Sequence, residues 1–169
     1  MSIFLQPLQT VTVGSGGASS VSFTNIPQTF TDLKIVASMR DTGAGPHMVL
    51  AFNGSGSNFS NTILFGNGGS TYSQRRTDAI FTFTNDGTNE SSNVFANFEM
   101  YLPNYALSNY KSFTLESVVE NNGTTAYQSL YAGLWSNTSA VTSIGFTAGS
   151  TAFAQYSKFS LYGVLRQGI

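Results

Sequence analysis

The side chains that most often carry catalysis are scarce in this sequence. It contains one histidine, His47, and no cysteine. His47 together with Asp41 and a nearby serine would supply the base, the orienting acid and the nucleophile of a hydrolytic triad. The simpler interpretation is a hydrogen-bonded loop histidine, because His47 follows Pro46 at the start of a predicted strand. One histidine without cysteine also argues against a zinc site. We therefore predict no metal and no cofactor.

Three carboxylates offer the other recognisable chemistry. Glu99, Glu116 and Glu120 fall on predicted strands, and two of them facing each other would make a glycosidase pair. The alternative is that they are solvated or paired with lysine and arginine side chains. We favour this alternative and expect no enzymatic activity, because no motif for a nucleophile or a phosphate cradle accompanies the carboxylates.

The elements that would position these side chains are strands. Leu33, Ile35, Ala37 and Met39 alternate with mainly polar residues, and positions 94–102 repeat the pattern, which indicates strands with one buried face. Similar runs recur about every 8–15 residues, and no segment has the period of an amphipathic helix. We predict an all-β fold, an antiparallel β-sandwich that is jelly-roll-like, with roughly nine or ten short strands. Between positions 53 and 77 we expect surface loops with at most one short strand.

The length of the chain fits a single β-sandwich domain spanning residues 1–169. Within it, residues 1–7 are a candidate N-terminal arm, because Ile3, Phe4 and Leu5 are apolar and would bind a neighbouring subunit. The alternative is that this segment is the first edge strand. It lacks the basic start and continuous apolar core of a signal peptide.

The composition excludes several classes of partner. Only 9% of the residues are charged and the net charge is −1, whereas roughly 25% is usual in a soluble domain. Such a chain has no basic surface for nucleic acid or for an anionic membrane, and no apolar run approaches the roughly 20 residues of a membrane helix. A nearly uncharged surface instead favours association between subunits. The lack of cysteine fits synthesis in a reducing cytoplasm.

The most informative cluster lies at positions 124–135. Tyr127, Tyr131 and Trp135 share one face of that predicted strand, and the other face is mainly alanine and leucine. We expect the aliphatic face to meet the core and the aromatic face to border a partly hydrated surface, because its rings carry polar groups. Three interpretations of the aromatic face remain open: a second core layer or a surface under a loop, a subunit interface, and a platform for stacking sugars.

Arg75 and Arg76 are the only adjacent pair of basic residues in the sequence. They lie in the range expected to form surface loops. We interpret them as a solvated loop tip, and the alternative is a contact with another subunit.

Three parts of the sequence carry a family resemblance. They are the opening QPLQTVTVGSGGASSVSFTNIPQTFTDLKIVASMR, the middle rich in Asn, Gly and Ser, and the closing FSLYGVL at positions 159–165. In these parts the chain resembles the small β-sandwich virion structural proteins of tailed bacteriophages. The resemblance implies a capsid decoration (cement) protein, or a related fibre or tail component, that forms a homotrimer. It further implies synthesis in the bacterial host cytoplasm and a place on the capsid surface of the virion, bound to the major capsid protein or another virion protein.

Two other classes of function remain as alternatives. A carbohydrate-binding module of a phage fibre or tail receptor-binding protein would stack a glycan on Tyr127, Tyr131 and Trp135. A glycoside hydrolase would need two of the glutamates in one cleft.

Overall fold

The computed structural model describes residues 3–43, 47–77, 80–83, 93–121, 126–149 and 151–166. Within these ranges the chain forms twelve strands and no helix, and so no helix that could cross a membrane. The strands are β1 (Ile3–Thr12), β2 (Ser20–Phe23), β3 (Asp32–Met39), β4 (His47–Phe52), β5 (Phe59–Gly66), β6 (Thr71–Arg76), β7 (Phe81–Phe83), β8 (Ala96–Pro103), β9 (Lys111–Val119), β10 (Tyr127–Trp135), β11 (Ile144–Ala148) and β12 (Lys158–Arg166).

The strands form two antiparallel sheets with the strand order of a jelly roll. The larger sheet runs β1-β12-β3-β8-β9-β10-β5-β6, and the smaller runs β2-β11-β4-β7. When the β5–β6 and β9–β10 hairpins are set aside, eight strands remain, four in each sheet. The first of these eight pairs with the last (β1 with β12), and the second pairs with the second-last (β2 with β11). This nested order is that of two interleaved Greek keys. The predicted antiparallel β-sandwich is therefore confirmed.

The two hairpins widen the larger sheet beyond β8, and one of them was not predicted. The expectation of at most one short strand between positions 53 and 77 is wrong, because β5 and β6 both lie there. β5 pairs with β10 over the whole length of β5 and buries Phe59 and Ile63. β6 buries no side chain, so no alternation of apolar residues marks it. The turn between β5 and β6 is fixed by Asn67, whose Oδ1 accepts hydrogen bonds from the backbone N–H groups of Gly69 and Ser70.

The core lies between the two sheets and follows the predicted alternation. The apolar residues of β3 at positions 33, 35, 37 and 39 are buried, and β8 buries positions 96, 98, 100 and 102 in the same way. Phe146 of the smaller sheet stacks on Phe159 of the larger, with ring centroids 5.5 Å apart. Under the widened part of the sheet, Phe52 of β4 meets Phe113 of β9 edge to face at 5.6 Å. Aromatic rings thus join both halves of the larger sheet to the smaller one.

The beginning of the chain belongs to this sheet. Phe4 lies opposite Leu165 and Leu5 opposite Val164 in the β1–β12 ladder. Of the two interpretations of this segment, residues 3–7 take the form of the edge strand, because β12 supplies backbone partners along their whole length. Residues 1 and 2 lie outside the described ranges. Phe4 and Leu5 remain 55% and 45% exposed, so they stay available to a neighbour.

Candidate interaction surface

An apolar stripe follows the solvent side of β10. Leu130, Ala132 and Leu134 take successive positions on that side, and Leu64 of β5 lies directly opposite Leu130. Val118 of β9 borders the same row, opposite Gln128. We call residues 64, 118, 130, 132 and 134 the β10 stripe. Leu64 is 57% exposed, Leu130 52% and Val118 40%. The solvent side of an antiparallel sheet is normally polar, and a cluster of exposed aliphatic side chains indicates an interaction surface.

The stripe is exposed because β10 turns its aromatic face inward, which makes the prediction of its buried face wrong. Tyr131 and Trp135 are each 1% exposed, and the ring of Trp135 stands edge-on to that of Phe52 at 5.5 Å. Burial removes about 150–250 Å² of a Tyr or Trp side chain from water, which contributes about 4–6 kcal/mol. A leucine contributes about 1.5–3 kcal/mol. The Trp135 indole N–H finds no acceptor among the described residues, which costs about 1–3 kcal/mol. That cost is too small to reverse the preference for burying the aromatic face of β10.

This orientation changes what the three predicted aromatic residues can do. Tyr131 and Trp135 offer no ring face to a sugar or to another subunit, because they lie in the main core between the two sheets and not in a second core layer. Tyr127 is half-buried and lines an open cleft of about 710 Å³ beside the stripe. The sugar-stacking interpretation therefore loses two of its three residues.

The cleft joins the stripe to polar groups. Leu64, Val118 and Leu130 form one part of its wall, and Glu116 and Gln128 lie among its polar lining residues. The surface is therefore an exposed aliphatic row with a polar border, which is the usual pattern of a protein–protein interface.

Arg75 and Arg76 lie on a strand, so their placement at a loop tip is wrong. Arg75 pairs with Thr62 on the stripe side of β6 and is exposed. Arg76 pairs with Asn61 on the opposite side and is partly buried. Burial, assisted by the nearby charge of Arg76, lowers the pKa of His47. One arginine therefore belongs to the exposed surface, and the other is partly buried on the side of β6 that faces away from the stripe.

Asp41, the acid considered for a hydrolytic triad with His47, is bonded to backbone N–H groups. The two carboxylate oxygens of Asp41 accept the backbone N–H groups of Gly43 and Gly149, each at 2.9 Å. Asp41 is fully buried, so these bonds make it a structural carboxylate that ties two segments of the chain together.

Two of the three glutamates are brought together. Glu99 and Glu116 are direct partners in the β8–β9 ladder, on the solvent side of the sheet. Glu99 Oε1 lies 2.6 Å from Lys34 Nζ, so this carboxylate is engaged in a surface ion pair. Glu120 is exposed just beyond the end of β9. In the described part of the chain, no three acidic, histidine or cysteine side chains are placed to hold a metal ion.

Sequence reasoning missed the exposed members of the stripe on β5 and β9, Leu64 and Val118. For β10 the sequence does indicate a second apolar face, because that strand is apolar on both sides. The prediction, however, places the aliphatic face in the core. Comparison with protein-family models gave no match, and a search of curated proteins gave no significant match.

Proposed function

We propose that this protein is a structural subunit of a bacteriophage virion, a capsid decoration (cement) protein without enzymatic activity. It binds the outer shell through the β10 stripe, with the major capsid protein or a neighbouring virion protein as its partner, and acts as a homo-oligomer. The observation that carries the proposal is the exposed aliphatic row of Leu64, Leu130 and Val118 on the solvent side of the larger sheet.

The physical requirements of this role match the described surface. A decoration protein has to bury surface at many equivalent places on a closed shell, where several modest contacts add up through avidity. An aliphatic row gains free energy from burial without the desolvation cost of charged groups. The low charge of the chain keeps repulsion between neighbouring copies small. The jelly roll is also a recurrent fold of viral capsid domains, which supports the resemblance noted in the sequence.

The test uses shells of the phage that encodes the protein, assembled without it. We expect the purified protein to co-sediment with these shells and to raise the temperature at which they disrupt. The variant Leu130→Lys should lose binding, because it places a charge in the middle of the stripe. Its own unfolding temperature should stay close to that of the wild type, since Leu130 is 52% exposed.

The matched control is Ser22→Lys, which adds the same charge at an exposed position of β2 in the other sheet. It should bind shells as the wild type does. Equal binding by Leu130→Lys and Ser22→Lys would overturn the stripe as the contact surface. Failure of the wild type to bind any shell would overturn the proposed function.

A further inference from the structure

The free edge of β6 is built differently from the other edges of the two sheets. Among the strands of the described ranges β6 ends the larger sheet and pairs only with β5, in an unbroken register from Asn61–Arg76 to Gly66–Thr71. The opposite edge, β1, contains Pro7 and a register shift between Pro7 and Gln9. Proline and irregular pairing protect an edge from joining another strand. In the smaller sheet the described parts of the edge strands β2 and β7 have four and three residues.

The backbone groups on this edge can be assigned from the hairpin turn. The N–H of Asn67 donates to the carbonyl of Ser70, so this pair is hydrogen-bonded across the hairpin. Because hydrogen-bonded and non-hydrogen-bonded pairs alternate along an antiparallel ladder, Tyr72, Gln74 and Arg76 direct their backbone groups to β5. Thr71, Ser73 and Arg75 direct theirs outward. All three outward residues are exposed.

We propose that β6 pairs with β6 of a second copy of this chain, antiparallel and centred on Ser73. The outward residues are symmetric about Ser73, so the pairing places Ser73 opposite its counterpart and Thr71 opposite Arg75 of the second copy. Each outward residue then exchanges both of its backbone hydrogen bonds, about six bonds in total.

The charge distribution of β6 favours a second copy in this direction. Both arginines lie at one end of the strand, at positions 75 and 76. Antiparallel pairing sets them beside the uncharged end of the other strand, at Thr71 and Ser70. Parallel pairing would align arginine with arginine, and like charges opposite each other destabilise a sheet. The sequence TYSQRR is therefore complementary to itself, which is the requirement of a two-fold interface.

The pairing would make the two larger sheets continuous and place both β10 stripes on one extended surface. It rests on the homo-oligomeric part of the proposed function and replaces the homotrimer implied by the resemblance with a two-fold dimer. It leaves the stripe free for the shell.

The first test exploits the absence of native cysteine. In the proposed dimer the two Ser73 Cα atoms are about 5.5 Å apart, a distance that a disulfide spans. Under mild oxidation Ser73→Cys should form a covalent dimer at least about tenfold faster than Ser112→Cys, because pairing holds its thiols at a high effective concentration. Ser112 is an exposed control on β9. Equal rates for the two variants would overturn the pairing.

A second test reads the register. Thr71→Cys and Arg75→Cys should cross-link to each other when mixed, and each should cross-link poorly alone. Dimers of each variant alone that form as fast as the mixed dimer would overturn the antiparallel register centred on Ser73.

A third test blocks the edge without breaking the hairpin. Ser73→Pro removes an outward N–H, so it should keep the fold and sediment as a monomer at concentrations where the wild type is a dimer. Gln74→Pro removes an N–H directed to β5 and should lower the unfolding temperature instead. A monomeric wild type would overturn the inference. So would a trimeric wild type whose Ser73→Cys variant does not cross-link.

The shell-binding assay separates this inference from the proposed function. If the wild type coats shells but Ser73→Cys does not cross-link, the edge pairing is wrong and the function stands. If Ser73→Cys cross-links but the protein binds no shell, the pairing stands and the function is wrong.

Discussion

The ring of Phe113 lies directly over Gly133, its partner across the β9–β10 ladder. A Cβ added at Gly133 would fall inside the van der Waals distance of three ring carbons of Phe113. The same ring meets Phe52 and Phe59 at centroid distances of 5.6 and 6.3 Å. The glycine therefore makes room for the aromatic ring that connects β9 to the smaller sheet.

We expect Gly133→Ala to destabilise the protein by about 1–3 kcal/mol, because the ring must leave its packed position in a dense core. Denaturant unfolding measures the loss as a lower midpoint. The control is Gly14→Ala, where an added Cβ meets nothing within 4 Å, and its effect should stay within about 0.5 kcal/mol. Equal midpoints for the two variants would contradict this account of Gly133.

Lys111 is a fully buried cation held by carbonyl oxygens. Its Nζ donates to the carbonyls of Leu107 at 2.8 Å, Asn109 and Thr138, and it lies 5.9 Å from the centre of the Trp135 ring. We expect Lys111→Met to cost about 2–3 kcal/mol, because it leaves these acceptors without their donor. Thermal or denaturant unfolding would measure the loss.

Lys34 provides the matched control for that substitution. It forms a surface ion pair with Glu99, with its side chain 28% exposed. Lys34→Met should therefore cost less than about 1 kcal/mol. A larger loss for Lys34→Met than for Lys111→Met would show that the carbonyl cage contributes little.

The strands of the jelly roll could be predicted because each buries one face. On β3 and β8 apolar residues such as Leu33, Ile35 and Phe98 occupy every second position. Burial of such residues contributes most of the free energy that stabilises a strand in its sheet. β6 could not be predicted in this way, because its stability comes from hydrogen bonds to β5 and not from buried side chains.

The interaction surface was harder to predict than the fold. β10 is apolar on both faces, so its pattern does not say whether Leu130 or Tyr131 faces the core. That choice depends on the space beneath β10, which is set by Phe52 and Phe59 from distant parts of the chain. Contacts so remote in sequence leave no local signal.

His47 should make the stability depend on pH. Burial and the charge of Arg76 lower its pKa below the unperturbed value of about 6.5. The unfolded chain therefore takes up a proton before the folded protein does. The contribution of His47 is fully present above about pH 6.5 and is lost as the pH falls through the lowered folded pKa.

The measurement is the difference in free energy of unfolding between wild type and His47→Asn from pH 7.5 to pH 5. We expect the wild type to lose stability more steeply over this range. Arg76→Gln should reduce the slope, because it removes one of the two causes of the lowered pKa. Parallel curves for wild type and His47→Asn would contradict the prediction.

Ser117 and Ser129 form a hydroxyl pair inside the sheet that should show strong coupling. They are direct partners in the β9–β10 ladder, their Oγ atoms are 2.7 Å apart, and they are 1% and 2% exposed. Either single change to alanine leaves a buried hydroxyl without this partner and should cost about 1–3 kcal/mol. The double variant should be less destabilised than the sum of the single ones, because it removes both polar groups.

This pair also bears on the orientation of the β10 stripe. A shift of one residue between β9 and β10 would move Leu130 inward and Tyr131 outward, and the aliphatic face of β10 would tolerate burial. The shift would separate the two hydroxyls, so the pair adds a penalty against it that apolar residues alone do not provide. We therefore expect the single variants to show faster hydrogen exchange along β10 than the wild type. Additive losses in the double-variant cycle, with unchanged exchange, would contradict this role.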